Sequence, residues 1–155
     1  MLPSMKLVDL VEGHAEEIAE QWAKNVVKHH FTPYYHHCSP DEIVPRAMKF
    51  YRNFRAIFME PKPIEAAESF FTKYAEGRFK EGVPLHEAIY ALILMRRQLW
   101  LYAEFQAVFT TAMEKLQAME SLNRTILVFD YAVYFITKTY DDLMKKAAAN
   151  TPPGK

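Results

Sequence analysis

Five side chains that could ligate a metal lie close together in a segment rich in histidine and aromatic residues: His29, His30, His36, His37 and Cys38. Imidazole and thiolate groups suit zinc, copper and haem iron. Zinc sites, however, show paired ligands at fixed offsets, and adjacent histidines on an irregular connector point in different directions. We therefore predict a connector without metal, and we retain His36, His37 and Cys38 as the ligands of an alternative metal site.

Arg96 and Arg97 form a second candidate site, because they interrupt an otherwise apolar stretch. Two guanidinium groups beside an apolar wall can hold the carboxylate or phosphate of a small ligand. On this interpretation the ligand-binding residues are Arg96, Arg97, Trp100 and Tyr140. The alternative interpretation is structural, since arginines on a packed helix often pair with acidic side chains of a neighbouring helix or extend to the surface.

Aromatic residues make up 14% of the chain and recur at helical spacing, which is typical of a packed core. They could instead line a cavity for a flat apolar ligand. Those in the last third of the chain exceed what one core face can hold, and an exposed aromatic patch on a helical hairpin usually marks a partner surface. We predict a homodimer interface that contains Tyr102, Phe109, Tyr131, Tyr134 and Phe135.

No motif of hydrolytic or transfer catalysis accompanies these groups: the sequence has no glycine-rich phosphate loop, nucleophile elbow or His-Glu-x-x-His pair. Nineteen acidic and nineteen basic residues give a net charge of zero, so the chain has no general attraction to nucleic acid or anionic lipid. A single cysteine and an apolar run confined to residues 88–95 indicate a reducing cytoplasm and no transmembrane segment. We predict a cytoplasmic protein that is not an enzyme and binds neither nucleic acid nor membrane.

Apolar periodicity predicts three helices in the first half of the chain. Residues 5–30 form an amphipathic pattern with a break at Gly13. The second element is one helix that begins at Ser39, an N-cap residue followed by proline and two acids. The third covers residues 64–80 and ends at Gly82, which we expect in the left-handed conformation.

The second half of the chain predicts two long helices. Residues 85–119 contain neither glycine nor proline and predict one continuous helix of about ten turns at the centre of the fold. Ser121 then caps a last helix over residues 122–146, and residues 147–155 are expected to form a disordered tail. The last helix should direct one apolar stripe inward: Ile126, Phe129, Val133, Ile136, Tyr140 and Leu143.

These elements predict an all-α fold, a single domain over residues 1–146 built from about five helices. The short connection between the last two helices favours a long antiparallel hairpin. A reversal centred near Glu120 would place Tyr140 level with Trp100 and would bring Asp141 and Asp142 beside the paired arginines.

One segment resembles a known family over about thirty residues. It contains an arginine, a Gly-x-Pro-Leu-x-Glu turn, and a long apolar helix with a central arginine and a bulky aromatic residue: Arg78, residues 82–87, Arg96 and Trp100. The first helix, in which Glu17 and Ile18 precede Trp22, is also similar to the opening of that family. The family is the N-terminal sensor domain of RsbR-type stressosome proteins, the RsbRD N-terminal domain.

The resemblance implies a globin-like helical fold that dimerises and serves as an input or scaffolding module in bacterial stress signalling, usually without haem. Because no output domain follows in this sequence, we expect a stand-alone domain that docks to a separate signalling protein, such as an anti-sigma regulator or a kinase.

A carrier or sensor of a small ligand, a tetrapyrrole or a metal is the alternative function. In globin-coupled sensors a comparable Gly-x-x-Pro turn follows shortly after the histidine that binds haem. The matching position here falls near Arg78, and no histidine occurs in residues 70–85. The resemblance therefore implies a domain without a cofactor.

Overall fold

The computed structural model describes residues 5–59, 64–105 and 110–151, without the side chain of Phe105. The regular structure of these residues is entirely helical, which confirms the all-α prediction. It comprises α1 (Met5–Gly13), α2 (Ala15–Val26), a 3-10 helix (Pro33–His37), α3 (Pro40–Arg52), α4 (Phe54–Phe58), α5 (Ile64–Glu81), α6 (Leu85–Phe105) and α7 (Ala112–Ala149). Each helix in these ranges is too short or too polar to cross a lipid bilayer.

The amphipathic pattern of residues 5–30 forms two helices, α1 and α2, which meet at Gly13 and His14 as the glycine predicted. Their apolar faces are buried, and the indole Nε1 of Trp22 donates a hydrogen bond to the Ala91 carbonyl at 2.9 Å. This bond satisfies a buried polar group and ties α2 to α6.

The single helix expected after Ser39 is in fact two, α3 and α4, separated by Asn53. The Asn53 side chain donates from Nδ2 to the Lys49 carbonyl at 2.6 Å, and such local bonds compete with the backbone ladder of a helix. Ser39 occupies the N-cap position of α3, but its side chain forms no capping hydrogen bond there.

The end of α5 follows the prediction for Gly82. This residue has a φ of 85°, and the amides of Gly82 and Val83 donate to the carbonyls of Phe79 and Arg78, both at 3.0 Å. This is the hydrogen-bond pattern of a glycine-terminated helix. The sharp reversal at Gly82 allows α6 to begin at Leu85, directly after α5.

Replacing Gly82 with alanine should lower the free energy of unfolding by about 1–2 kcal/mol, because L-residues are strained at positive φ. A Cβ at Gly82 would meet no other atom within 4 Å, so the cost is one of backbone conformation. Gly77, inside α5, is the matched control, since its Cβ would also enter open space and alanine should stabilise the helix. Urea unfolding followed by circular dichroism measures both; equal effects of the two substitutions would contradict this account.

The prediction of one continuous helix over residues 85–119 is wrong, because Thr110 and Thr111 are not helical. Residues 106–109 lie outside the described part of the chain, Thr110 is not helical, and Thr111 is extended at φ −87° and ψ 165°. Thr111 caps α7, because its side chain accepts a hydrogen bond from the Glu114 amide at 3.1 Å. The Glu114 carboxylate in turn accepts from the Thr110 amide at 3.2 Å.

The last helix is therefore longer than predicted. It spans 38 residues, includes residues 147–149 that were assigned to the disordered tail, and places Ser121 inside the helix, where it is buried and does not cap. Residues 152–155 of the expected tail lie outside the described residues.

The antiparallel hairpin of α6 and α7 has a different register from the predicted one. Tyr140 donates from Oη to the Val83 carbonyl at 2.9 Å, and the Arg96 guanidinium lies 5.8 Å from the centre of the Phe129 ring. The midpoints of both pairs fall near residue 112, so the reversal is not centred near Glu120. The most extensive packing of α7 is against α5, with less against α6.

This register also separates the paired arginines from their expected partners. Asp141 pairs with Lys145, and Asp142 pairs with Lys138, each at 3.0 Å within α7. The expected ion pairs to Arg96 and Arg97 are therefore wrong, because the carboxylates lie level with the start of α6, whereas the arginines lie near its middle.

Candidate functional site

The main unsatisfied surface of the described chain is an apolar face on α7. Nine of its apolar side chains are exposed: Met113, Leu116, Met119, Leu122, Ile126, Leu127, Val133, Tyr134 and Met144. Isolated exposed apolar residues are normal, but a contiguous set on one helix marks an interaction surface.

Spacing places four of these nine residues on one side of the helix: Met119, Leu122, Ile126 and Val133. Positions 112, 115, 119, 122, 126, 130 and 133 follow one another at three- and four-residue steps, the pattern of a helix that packs on another helix. We call these seven positions the α7 seam. Its central members are Met119, Leu122 and Ile126, and its two charged members are Lys115 and Asp130.

The N-terminal part of α7 extends beyond the core of the chain. The buried side chains of this helix begin at Ser121 and end at Tyr140, whereas residues 112–120 include none. An ion pair of 3.0 Å between Lys6 Nζ and Glu114 Oε2 connects this part to α1. Met113, Leu116 and Met119 lie in this part and are exposed. Exposed apolar surface favours burial against a partner.

An open groove of about 490 Å³ runs between α6 and α7 beside the seam. Arg96, Arg97 and Trp100 line it together with Leu122 and Ile126, so three of the four predicted ligand-binding residues lie together. The groove shares Leu122 and Ile126 with the seam, so a partner that packs on these two residues would also contact the groove.

Tyr140, the fourth predicted ligand-binding residue, does not belong to this group. Tyr140 is buried, and its hydroxyl donates a hydrogen bond to the Val83 carbonyl. Val83 lies about 20 Å from Arg96 along the axis of α6. Burial raises the pKa of the Tyr140 hydroxyl, which acts as a structural donor. The prediction that Tyr140 lies level with Trp100 depended on a hairpin register that is wrong.

The five aromatic residues predicted at a dimer interface differ in their exposure. Tyr134 is 60% exposed on the apolar face, and Tyr131 is half-buried against the core. Tyr102 and Phe135 are buried inside the chain, and Tyr102 donates from Oη to Glu17 Oε2 at 2.6 Å. Phe109 lies outside the described residues.

Tyr102 and Phe135 are therefore corrected to core positions. Both were chosen as excess aromatics, yet α2 covers Tyr102 and the body of the chain covers Phe135. Desolvation by burial, with the bond to Glu17, raises the pKa of Tyr102 to about 12.

The histidine segment is arranged around backbone and ring contacts. His36 Nε2 lies 2.7 Å from the His29 carbonyl, and the His37 ring meets Tyr34 edge-on with centroids 5.0 Å apart. Cys38 is partly buried. Within the described ranges no three His, Cys, Asp or Glu side chains are placed to hold a metal ion, so the alternative site of His36, His37 and Cys38 is not assembled.

Comparison with protein-family models, curated proteins and solved structures finds no match to this chain.

Sequence reasoning missed the α7 seam because Ile126 and Val133 were assigned to the inner face and residues 112–119 to the preceding helix. The signal that could have found it is Thr111-x-x-Glu114, a capping box that marks the true start of α7.

Proposed function

We propose that this protein is a cytoplasmic helical regulatory domain that acts by dimerisation and by docking to a separate signalling partner, without catalysis. The observation that carries the proposal is the exposed apolar face of α7, with its seam at three- and four-residue steps. The resemblance of residues 74–100 to stressosome sensor domains supports bacterial stress signalling as the setting and a globin-like arrangement as the fold.

A second copy of this chain is the partner that best fits the seam. Lys115 and Asp130 lie on the same face, equally far from a point between Leu122 and Asn123. A two-fold axis at that point makes two α7 helices antiparallel and brings Lys115 close to Asp130 of the other copy, twice. It also pairs Met119 of one copy with Ile126 of the other, so apolar groups and opposite charges match together.

Within the described residues, neither Lys115 nor Asp130 has an intramolecular ion pair to lose on assembly. The exposed apolar side chains on both sides of the axis would be removed from water, which supplies the main driving force. The two symmetric ion pairs determine the register more than the affinity.

The test is a charge exchange across the axis, followed by sedimentation velocity. Lys115→Asp alone should weaken the dimer by about tenfold, because a carboxylate at position 115 of each copy would then face Asp130 of the other copy. Adding Asp130→Lys restores opposite charges and should restore most of the affinity.

Lys138→Asp is the control, because Lys138 lies on α7 outside the seam and already pairs with Asp142. It should leave the dimer unchanged. If the double variant had normal circular dichroism but dimerised no more tightly than Lys115→Asp, this register would be overturned.

A further inference from the structure

A second groove lies between α3 and α5, on elements separate from the proposed dimer seam. Its volume is about 360 Å³, within the range of small-ligand sites. On the α5 side, Phe70, Tyr74 and Gly77 share one helix face at steps of four and three residues. Because glycine has no side chain, the wall at Gly77 is open, and a Cβ there would meet nothing within 4 Å.

Positive charge is concentrated in this groove. Arg46, Lys49, Lys73 and Arg78 all line it, and no acidic side chain is among its described lining residues. The chain as a whole is neutral, so this is a local excess and not a general basic character. Grooves lined by one sign of charge attract ions of the opposite sign.

One carboxylate holds the two arginines in place. Glu81 accepts from Arg78 through Nη2 at 2.9 Å and Nε at 3.2 Å, and it pairs with Arg46 Nη2 at 3.0 Å. Nη1 of Arg46 is buried and has no hydrogen-bond acceptor among the described residues. Lys49 and Lys73 form no ion pair with a described carboxylate. The two arginines therefore share the carboxylate of Glu81, and the two lysines have no such partner among the described residues.

The apolar wall of the groove is fixed by its own contacts. Tyr74 donates from Oη to the Ala88 carbonyl at 3.1 Å, and the Arg78 guanidinium stacks 5.3 Å from the centre of its ring. The Phe70 ring meets Phe50 and Phe71 with centroids 5.8 and 5.2 Å apart. An aromatic wall held by these contacts, beside the ammonium groups of Lys49 and Lys73, suits a ligand with a flat apolar body and an anionic head.

We propose that the groove between α3 and α5 binds a small organic anion with an aromatic or otherwise flat apolar body. The ligand body packs on Phe70 and Tyr74 at the open wall of Gly77. Its carboxylate or phosphate accepts hydrogen bonds from Lys49 and Lys73, while the arginines add long-range attraction. This site is independent of the proposed function, because its residues lie on different helices from the seam.

The experiment compares 2-naphthoate with 2-naphthamide, its neutral analogue, by isothermal titration calorimetry on the full chain. We expect 2-naphthoate to bind with a Kd of about 1 mM or tighter, and 2-naphthamide to bind at least about tenfold more weakly. Lys49→Gln with Lys73→Gln should weaken 2-naphthoate by about tenfold or more. Gly77→Leu, which fills the open wall, should abolish binding of both probes.

Lys24→Gln with Lys28→Gln is the matched control, since neither lysine lines the groove. It should bind 2-naphthoate like the unmodified protein. No heat at millimolar 2-naphthoate, equal affinity for the two probes, or an unchanged Lys49 and Lys73 double variant would each overturn the proposal. Sedimentation of the same double variant should match the unmodified protein, so failure of this site is distinguishable from failure of dimerisation.

Discussion

Replacing Ile126 with glutamate should convert the dimer to a monomer while the helical fold is retained. Ile126 is 43% exposed in the single chain, so a carboxylate there remains hydrated and α7 keeps a good helix former. In the proposed dimer the same carboxylate would lose water against Met119 of the other copy, and Arg96 and Arg97 of the adjoining groove would offset only part of that cost. Central interface substitutions of this kind cost about 2 kcal/mol or more, which is about 30-fold in Kd.

Sedimentation velocity over a range of concentrations measures this change. Phe31→Glu is the matched control, because Phe31 is a 55% exposed apolar side chain in the connector after α2 and packs on Tyr90. Its substitution should not affect the dimer. If Ile126→Glu dimerised as strongly as Phe31→Glu, the seam would not be the interface.

Replacing Phe50 with alanine should produce the largest loss of stability, about 3–5 kcal/mol. Phe50 is 1% exposed and lies at the junction of α3, α4, α5 and α7. Its ring contacts five others, with centroids between 5.5 and 6.1 Å away: Tyr51, Phe54, Phe70, Phe71 and Phe129. Truncation would leave a cavity that this many rigid rings cannot fill.

Urea unfolding at one fixed protein concentration measures the effect, because dimerisation also stabilises the folded chain. Phe31→Ala removes the same phenyl group from an exposed position and should cost less than about 1 kcal/mol. A Phe50→Ala variant as stable as Phe31→Ala would show that the aromatic cluster does not support the fold.

Helix type and most helix ends up to Gly82 could be predicted because local residues determine them. Gly82 at positive φ and the break at Gly13 are examples. The division at Asn53 could not be predicted. It depends on whether the Asn53 side chain, in place of a backbone amide, donates a hydrogen bond to the Lys49 carbonyl.

The α6 to α7 turn was misplaced for a different reason. Ser121 has the residue type of a cap, but inside α7 its carbonyl accepts from Thr125 Oγ1 at 2.7 Å, as serine and threonine can in a helix. The real cap, Thr111, is marked by Glu114 three residues later, and no glycine or proline accompanies it.

The candidate seam shows what periodicity alone cannot decide. Two apolar stripes run along α7, one buried through Val128, Ala132 and Ile136 and one exposed through Leu122, Ile126 and Val133. Both have helical spacing, and the choice between them depends on which side α5 covers. Similarly, the groove between α3 and α5 joins residues of two helices, and the periodicity within each helix does not show that these residues meet.

Sedimentation equilibrium of the unmodified protein tests the central claim of self-association through α7 most directly. The account predicts a mass of twice the 18.1 kDa chain at micromolar concentration, shifting toward one chain on dilution. A mass of 18.1 kDa at every concentration would contradict it.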